Sequence, residues 1–288
     1  GSLLSPRGVF RAATVTLIIF TILVVATFVL GTEIKGARRW ISLGPVSVQP
    51  SEFLKPAFAV VAAWLFAAAR NGDLRHGNLM CMGAYGVLVG LLLLQPDVGM
   101  AVVISSVWAC QFFLAGLPLY WAAALAIGGV GAFIGAYFTL SHVASRVDRF
   151  LDPSSGDSYQ VDRSLEAFMN GGLFGCGPGE GTVKEVLPDA HSDFVFAVAG
   201  EEFGLFVCLI IVCLFGFVVL RGFAKALQET DLFILLATSG LVVQFGLQAV
   251  INMGSTLRLM PTKGMTLPFV SYGGSSLIAM GLCVGFLL

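Results

Sequence analysis

The segment Leu187-Pro188-Asp189-Ala190-His191-Ser192-Asp193-Phe194-Val195-Phe196-Ala197 sets one histidine and two carboxylates where a polar stretch turns apolar. A carboxylate in that place can accept a proton from a hydroxyl group at a membrane surface. Ser192 and Asp193 also suit the first positions of a helix, whose N-terminus favours a carboxylate. Glu201 and Glu202 follow two turns later.

Three further clusters could do chemistry. Gly36-Ala37-Arg38-Arg39-Trp40-Ile41 reads either as a snorkelling basic collar with an interfacial Trp or as a guanidinium clamp for phosphate. Glu52 and Lys55, in Gln49-Pro50-Ser51-Glu52-Phe53-Leu54-Lys55-Pro56, are spaced to share one helix face. Charges in a span are costly, so they mark either a mutual ion pair or a polar cavity. The stretch from Lys263 through Leu267-Pro268-Phe269-Val270-Ser271-Tyr272-Gly273-Gly274-Ser275-Ser276 is rich in hydroxyls and small residues. It suits close helix packing, or a phosphate at a helix N-terminus. Gln95-Pro96-Asp97 reads as a proline turn with an Asp cap.

These clusters need a scaffold, and composition says which kind. The chain is 57% hydrophobic and only 11% charged, where soluble domains carry roughly 25% charged residues. The sequence predicts an all-α, polytopic transmembrane helix bundle. Eight segments are long and apolar enough to span, or nearly so: roughly 10–31, 52–69, 78–95, 98–116, 119–140, 203–221, 231–252 and 267–288. We read residues 1–288 as a single membrane domain, with one large extracytoplasmic loop at 141–192. Insertions of this size carry function. Within the loop, Asn170 to Gly181 holds six glycines, for tight turns or for backbone brought close to a substrate. It lacks the Walker A pattern, and no Asp-x-Asp nucleotide-sugar signature occurs. The six cysteines show no pairing pattern, so neither a disulfide nor a zinc site is expected.

With a cytoplasmic N-terminus, Arg7, Arg11, Arg70, Arg75, Arg221 and Lys225 lie inside. Lys35, Arg38, Arg39, Arg258, Lys263 and the long loop then lie outside. The positive-inside bias is weak, but the outer basic residues then face any anionic ligand. The net charge of −1 gives no reason to expect nucleic acid.

Taken in order, Gly-Ala-Arg-Arg-Trp-Ile, Gln-Pro-Ser-Glu-Phe-Leu-Lys, Gln-Pro-Asp-Val-Gly, His-Ser-Asp-Phe-Val-Phe-Ala and Leu-Pro-Phe-Val-Ser-Tyr-Gly-Gly-Ser-Ser resemble the SEDS family (shape, elongation, division and sporulation). The resemblance covers essentially the whole chain. Leu259 to Pro268 is more similar to division-type than to elongation-type members, and Asp157 to Arg163 resembles division-type members of alphaproteobacteria. The family fold has ten spans. Eight are seen here, so the sequence reads as a fragment cut at both ends.

The resemblance implies a glycosyltransferase that polymerises lipid II into glycan strands at the outer face of the bacterial cytoplasmic membrane, at the division site. It implies Asp193 as the catalytic base. Arg39, Lys55 and Lys263 would stabilise the developing pyrophosphate charge, and Trp40, Glu52, His191 and Ser271 would shape the substrate site. No organic cofactor and no protein-held metal is called for, although a divalent cation (Mg or Mn) on the pyrophosphate suits the chemistry. The implied partners are lipid II, the nascent glycan strand, a class B penicillin-binding protein and other divisome proteins. Two rivals stay open. A lipid II flippase needs polar residues deep in the central helices, and 78–95 and 119–140 contain none that ionise. A non-catalytic scaffold for the transpeptidase leaves the Asp193 loop without a purpose.

Overall fold

A computed structural model describes residues 5–34, 37–44, 46–116, 119–139, 143–145, 147–148, 159–261 and 264–288. All eight apolar segments are helices. They are α1 (Pro6–Leu30), α2 (Pro50–Asn71), α3 (Gly77–Leu94), α4 (Val98–Leu114), α5 (Leu119–Thr139), α8 (Val195–Ala226), α9 (Leu232–Thr256) and α10 (Gly274–Leu287). The long loop adds α6 (Tyr159–Gly171) and α7 (Val183–Val186). Among the described residues five helices (α1, α2, α3, α8 and α9) are long and apolar enough to cross a membrane, and three shorter apolar ones accompany them. The protein is a multi-pass helical membrane protein.

The structure moves two boundaries. The last helix starts at Gly274, because 267–273 forms a turn in which Ser271 and Phe269 are already committed to other geometry. The segment after α1 is a small antiparallel sheet of β1 (Thr32–Ile34), β2 (Ala37–Leu43) and β3 (Val46–Val48), in the order β1-β2-β3. Trp40 pairs with Thr32 and Arg38 with Glu33. Alternation along β2 sends Arg38 and Arg39 to opposite faces. Arg38 is exposed and Arg39 half-buried.

The chain packs as two compact units. In the first (residues 1–123, 219–245 and 274–288), α2 is the hub, packed against α1, α3, α4, α10 and β2. It is alanine-rich, with Ala57, Ala59, Ala62, Ala63, Ala67 and Ala68 all buried, and small residues let backbones approach where lipid offers no hydrophobic drive. Aromatic contacts frame it, Phe10 on Trp64 at 4.3 Å and Phe20 on Phe53 at 4.2 Å. The Gln111 amide crosses from α4 to the Ala59 carbonyl of α2 at 2.7 Å and the Leu236 carbonyl of α9 at 3.1 Å.

The second unit (residues 124–218 and 246–273) is organised around a break. Helix α8 is two helices interrupted at Gly204, where φ is 76° and ψ −175°. A broken helix leaves donors and acceptors that need partners. The glycine-rich segment supplies them. Cys176 and Gly177 donate to the carbonyls of Glu201 (2.9 Å) and Glu202 (3.0 Å), and Leu205 donates to the Gly172 carbonyl (3.0 Å). The glycines are required because backbone meets backbone. A Cβ on Gly171 would lie 2.0 Å from the Gly200 carbonyl oxygen, and one on Gly175 would lie 2.2 Å from that of Glu202.

A pair of alanine substitutions tests this splice. Gly175 has φ +83° and no room, whereas Gly179 has φ +85° and open space. Gly179→Ala should therefore cost only the left-handed penalty of about 1–2 kcal/mol. Gly175→Ala should cost about 3 kcal/mol or more, because the clash adds to it. Thermal unfolding in detergent checks the difference.

Candidate active site

Asp193 lies in a turn whose backbone is held by hydrogen bonds at Asp189 and from His191 to Phe194. Asp189 adopts φ +56°, which Asp tolerates, and its carbonyl accepts from Asp193 N (3.0 Å), Ser192 N (3.1 Å) and Phe194 N (3.3 Å). The carbonyls of His191, Ser192 and Asp193 are held from outside the turn. Tyr272 N donates to His191 O at 2.8 Å, Ser271 Oγ to Ser192 O at 2.5 Å, and Asn252 Nδ2 to Asp193 O at 2.9 Å. Asn252 also donates to Met265 O at 2.5 Å, and Gln248 Nε2 to Thr266 O at 3.1 Å. The turn, the C-terminal half of α9 and the 264–272 segment thus form one hydrogen-bonded body.

Helix α8 begins at Val195, and the Phe194 carbonyl accepts from Ala197 N (2.9 Å) and Val198 N (3.2 Å). Phe194, one residue after Asp193, therefore holds the cap position. The Asp193 carboxylate is half-buried and lies against Gly264, where a Cβ would come within 3.0 Å of Oδ2. Gly264 has φ +64°, so a side chain there is excluded twice over. The exposed His191 ring is 6.0 Å from that of Tyr272. Ser271 is buried, and its hydroxyl both donates to Ser192 and accepts from Leu267 N at 2.7 Å. That use makes it a positioning residue. Lys263 lies outside the described residues.

In the first unit Arg39 is engaged with the turn between α3 and α4. Its Nε donates to the Gln95 carbonyl at 3.0 Å, a terminal nitrogen donates to the Pro96 carbonyl at 2.5 Å, and the other lies 3.7 Å from Asp97 Oδ2. Asp97 caps α4 through Oδ1, 3.3 Å from Met100 N. Lys55 is fully enclosed and sits 2.8 Å from Glu52 Oε2, an ion contact without the alignment of a hydrogen bond. Trp40 is half-buried in the sheet.

Sequence reasoning noted Glu201 without giving it a role, and missed Gln248 and Asn252. Glu201 is fully buried and accepts from Asn170 Nδ2 (2.9 Å), Thr182 N (2.9 Å), Val183 N (2.8 Å) and Lys184 N (3.1 Å). Its neighbour Glu202 pairs with the Lys184 ammonium, and this hydrogen bond raises the lysine pKa above its ordinary value. A sequence signal for the amides was present. Gln244, Gln248, Asn252 and Thr256 recur every fourth residue, one polar stripe on an apolar helix. Among the described residues no three His, Cys, Asp or Glu side chains converge as a protein-held metal ion requires.

The ion pair and the Arg39 clamp each give a test. Glu52→Gln leaves an enclosed ammonium without its counter-charge and should cost about 3–5 kcal/mol. Adding Lys55→Met should recover most of that stability. A stable but slow double variant would give the pair a part in chemistry as well as in folding. Arg39→Lys loses the planar fork that reaches two carbonyls at once. It should lower stability by about 1–3 kcal/mol, read as a shift in the unfolding midpoint in detergent.

Comparison with known proteins places these features in a family. The profile of the FtsW/RodA/SpoVE cell cycle proteins matches residues 2–288. The chain is 45% identical to the probable peptidoglycan glycosyltransferase FtsW of Caulobacter vibrioides, over 100% of this chain and 74% of that protein. It is 41% identical to the protein of the same name from Saccharophagus degradans, over 86% of this chain and 67% of the relative. Among solved structures, a chain from a study of how a peptidoglycan synthase complex coordinates polymerization and crosslinking superposes with TM-score 0.81 at 32% identity, covering 99% of this chain and 82% of that one. The Thermus thermophilus rod shape determining protein RodA superposes with TM-score 0.69 at 33% identity, covering 99% and 79%. An aspartate turn held at three successive carbonyls, a helix broken and respliced by glycines, and a buried Glu–Lys pair thus occur in a chain that belongs to the FtsW/RodA/SpoVE family of cell cycle proteins.

Proposed function

We propose that this chain is a peptidoglycan glycosyltransferase that polymerises lipid II at the outer face of the cytoplasmic membrane during cell division, with Asp193 as its general base. The observation that carries the proposal is the Asp193 turn. Three successive carbonyls, of His191, Ser192 and Asp193, are held by Tyr272, Ser271 and Asn252, so the backbone is fixed while the carboxylate stays partly exposed. That is the design of a preorganised base: a rigid mount with a reachable oxygen. The names of the relatives support the same reaction class.

In the reaction, an Asp193 oxygen takes the proton of the acceptor sugar's 4-hydroxyl. The acceptor oxygen bonds to the anomeric carbon of the lipid-linked donor. The bond from that carbon to the pyrophosphate oxygen breaks, and undecaprenyl pyrophosphate leaves with the electron pair. One base suffices because the leaving group needs no proton. Lys263 precedes Gly264, the glycine packed against the Asp193 carboxylate, and we assign it to the departing pyrophosphate. His191, exposed two residues before Asp193, is assigned to the sugar acceptor. The related synthase complex supports a class B penicillin-binding protein as partner. A lipid II flippase is the weaker reading, because the relatives are named as glycosyltransferases.

Asp193→Asn should insert and fold normally, since the turn is held through backbone atoms. Glycan strand formation from lipid II in detergent should fall by roughly 10²-fold or more. A variant that polymerises at the wild-type rate removes Asp193 from the chemistry. Activity only in sealed liposomes, and none in detergent, would favour the flippase.

A further inference from the structure

We infer that Glu201 is the positioning residue that sets Asp193 for catalysis, an inference that rests on Asp193 being the base. The chain from Thr182 to Glu201 forms a closed loop. It leaves through α7, turns at 189–194, and returns along the first two turns of α8. Glu201 closes it. Its Oε1 accepts from Thr182 N and Val183 N, its Oε2 from Lys184 N, and Asn170 adds a fourth bond from α6. The loop interior is filled by Val183, Leu187, Ala190, Phe194 and Ala197, packed on Ala167. Asp193 stands at the apex, one residue before Phe194 in that core.

The carboxylate is fully buried, so no water can replace a lost bond without opening the loop. Nor is there slack beside it: a Cβ on Gly181 would lie 2.8 Å from Oε2. Three of its four donors are main-chain N–H groups at consecutive positions, a set that only an acceptor with two oxygens can satisfy. An amide at 201 keeps the shape but turns an NH2 toward an N–H. The strain is relieved by movement of α7 against α8, and those two segments fix the ends of the Asp193 turn. A displacement near 1 Å at a reacting group costs about 10²-fold in rate.

The test compares wild type, Glu201→Gln, Asp193→Asn and the double variant, each as full-length protein with lipid II in detergent. We expect Glu201→Gln to lower kcat by about 10- to 100-fold with KM changed less than about twofold and the unfolding midpoint still above assay temperature. In the Asp193→Asn background the same change should cost nothing further, because a base that is absent cannot be misplaced. Wild-type kcat per folded molecule, or a loss that multiplies undiminished in the double variant, overturns the inference. Should Glu201→Gln fail to fold, Asn170→Ala removes one bond of the four, and kcat should fall about three- to tenfold; an unchanged kcat is equally fatal. A fully active Asp193→Asn protein would sink the reading of the base itself. An inactive Asp193→Asn protein beside a fully active Glu201→Gln protein would sink only the role given to Glu201.

Discussion

A carboxylate that no water can reach must find its hydrogen bonds in the protein, and the second unit is built around that demand at Glu201. Four donors answer it, one from α6 and three from the start of α7. The consequence is geometric. The four donors fix the direction in which the loop enters and leaves the Asp193 turn, and the small apolar core beneath, from Ala167 to Ala197, can then pack in one way. A hydrophobic cluster of this size would not specify a single arrangement, since apolar contacts have no direction. The buried charge supplies the direction.

The break at Gly204 is the same problem met with backbone groups. Interrupting a helix near a membrane exposes N–H and C=O groups that lipid cannot satisfy. The glycine-rich segment lies across the interruption and takes up both ends. Its glycines therefore serve the protein's own main chain. This settles the choice between tight turns and close approach to a substrate for Gly171 and Gly175, whose missing side chains are occupied by the carbonyls of Gly200 and Glu202. What the splice provides is a short first piece of α8, Val195 to Phe203, that holds Glu201 and begins two residues after Asp193.

The first unit uses charge differently. Lys55 and Glu52 face each other in α2, a largely enclosed helix, and Arg39 ties the sheet to the α3–α4 turn through two carbonyls and Asp97. Both read from sequence as anion-binding candidates. In the structure each also has protein partners. The physical reason is that an enclosed cation must have a partner nearby, and in each case the partner is a neighbour within the same unit.

The sequence by itself determined the class of molecule, the eight apolar helices and the candidate motif around Asp193, because these depend on composition and local pattern. A run of apolar residues long enough to span has one low-energy form in lipid, and the His191–Asp193 motif is contiguous in the chain. Tertiary structure alone decided the sheet at 32–48, the start of the last helix at Gly274, the cap at Phe194 and the partners of Arg39, Lys55, Ser271 and Glu201. Each of these is a choice among donors and acceptors distant in sequence. Glu201 meets Asn170 across 31 residues, and Arg39 meets Gln95 across 56. Local pattern carries no term for such pairings, since a hydrogen bond depends on where two atoms are brought. Only the packed chain states that.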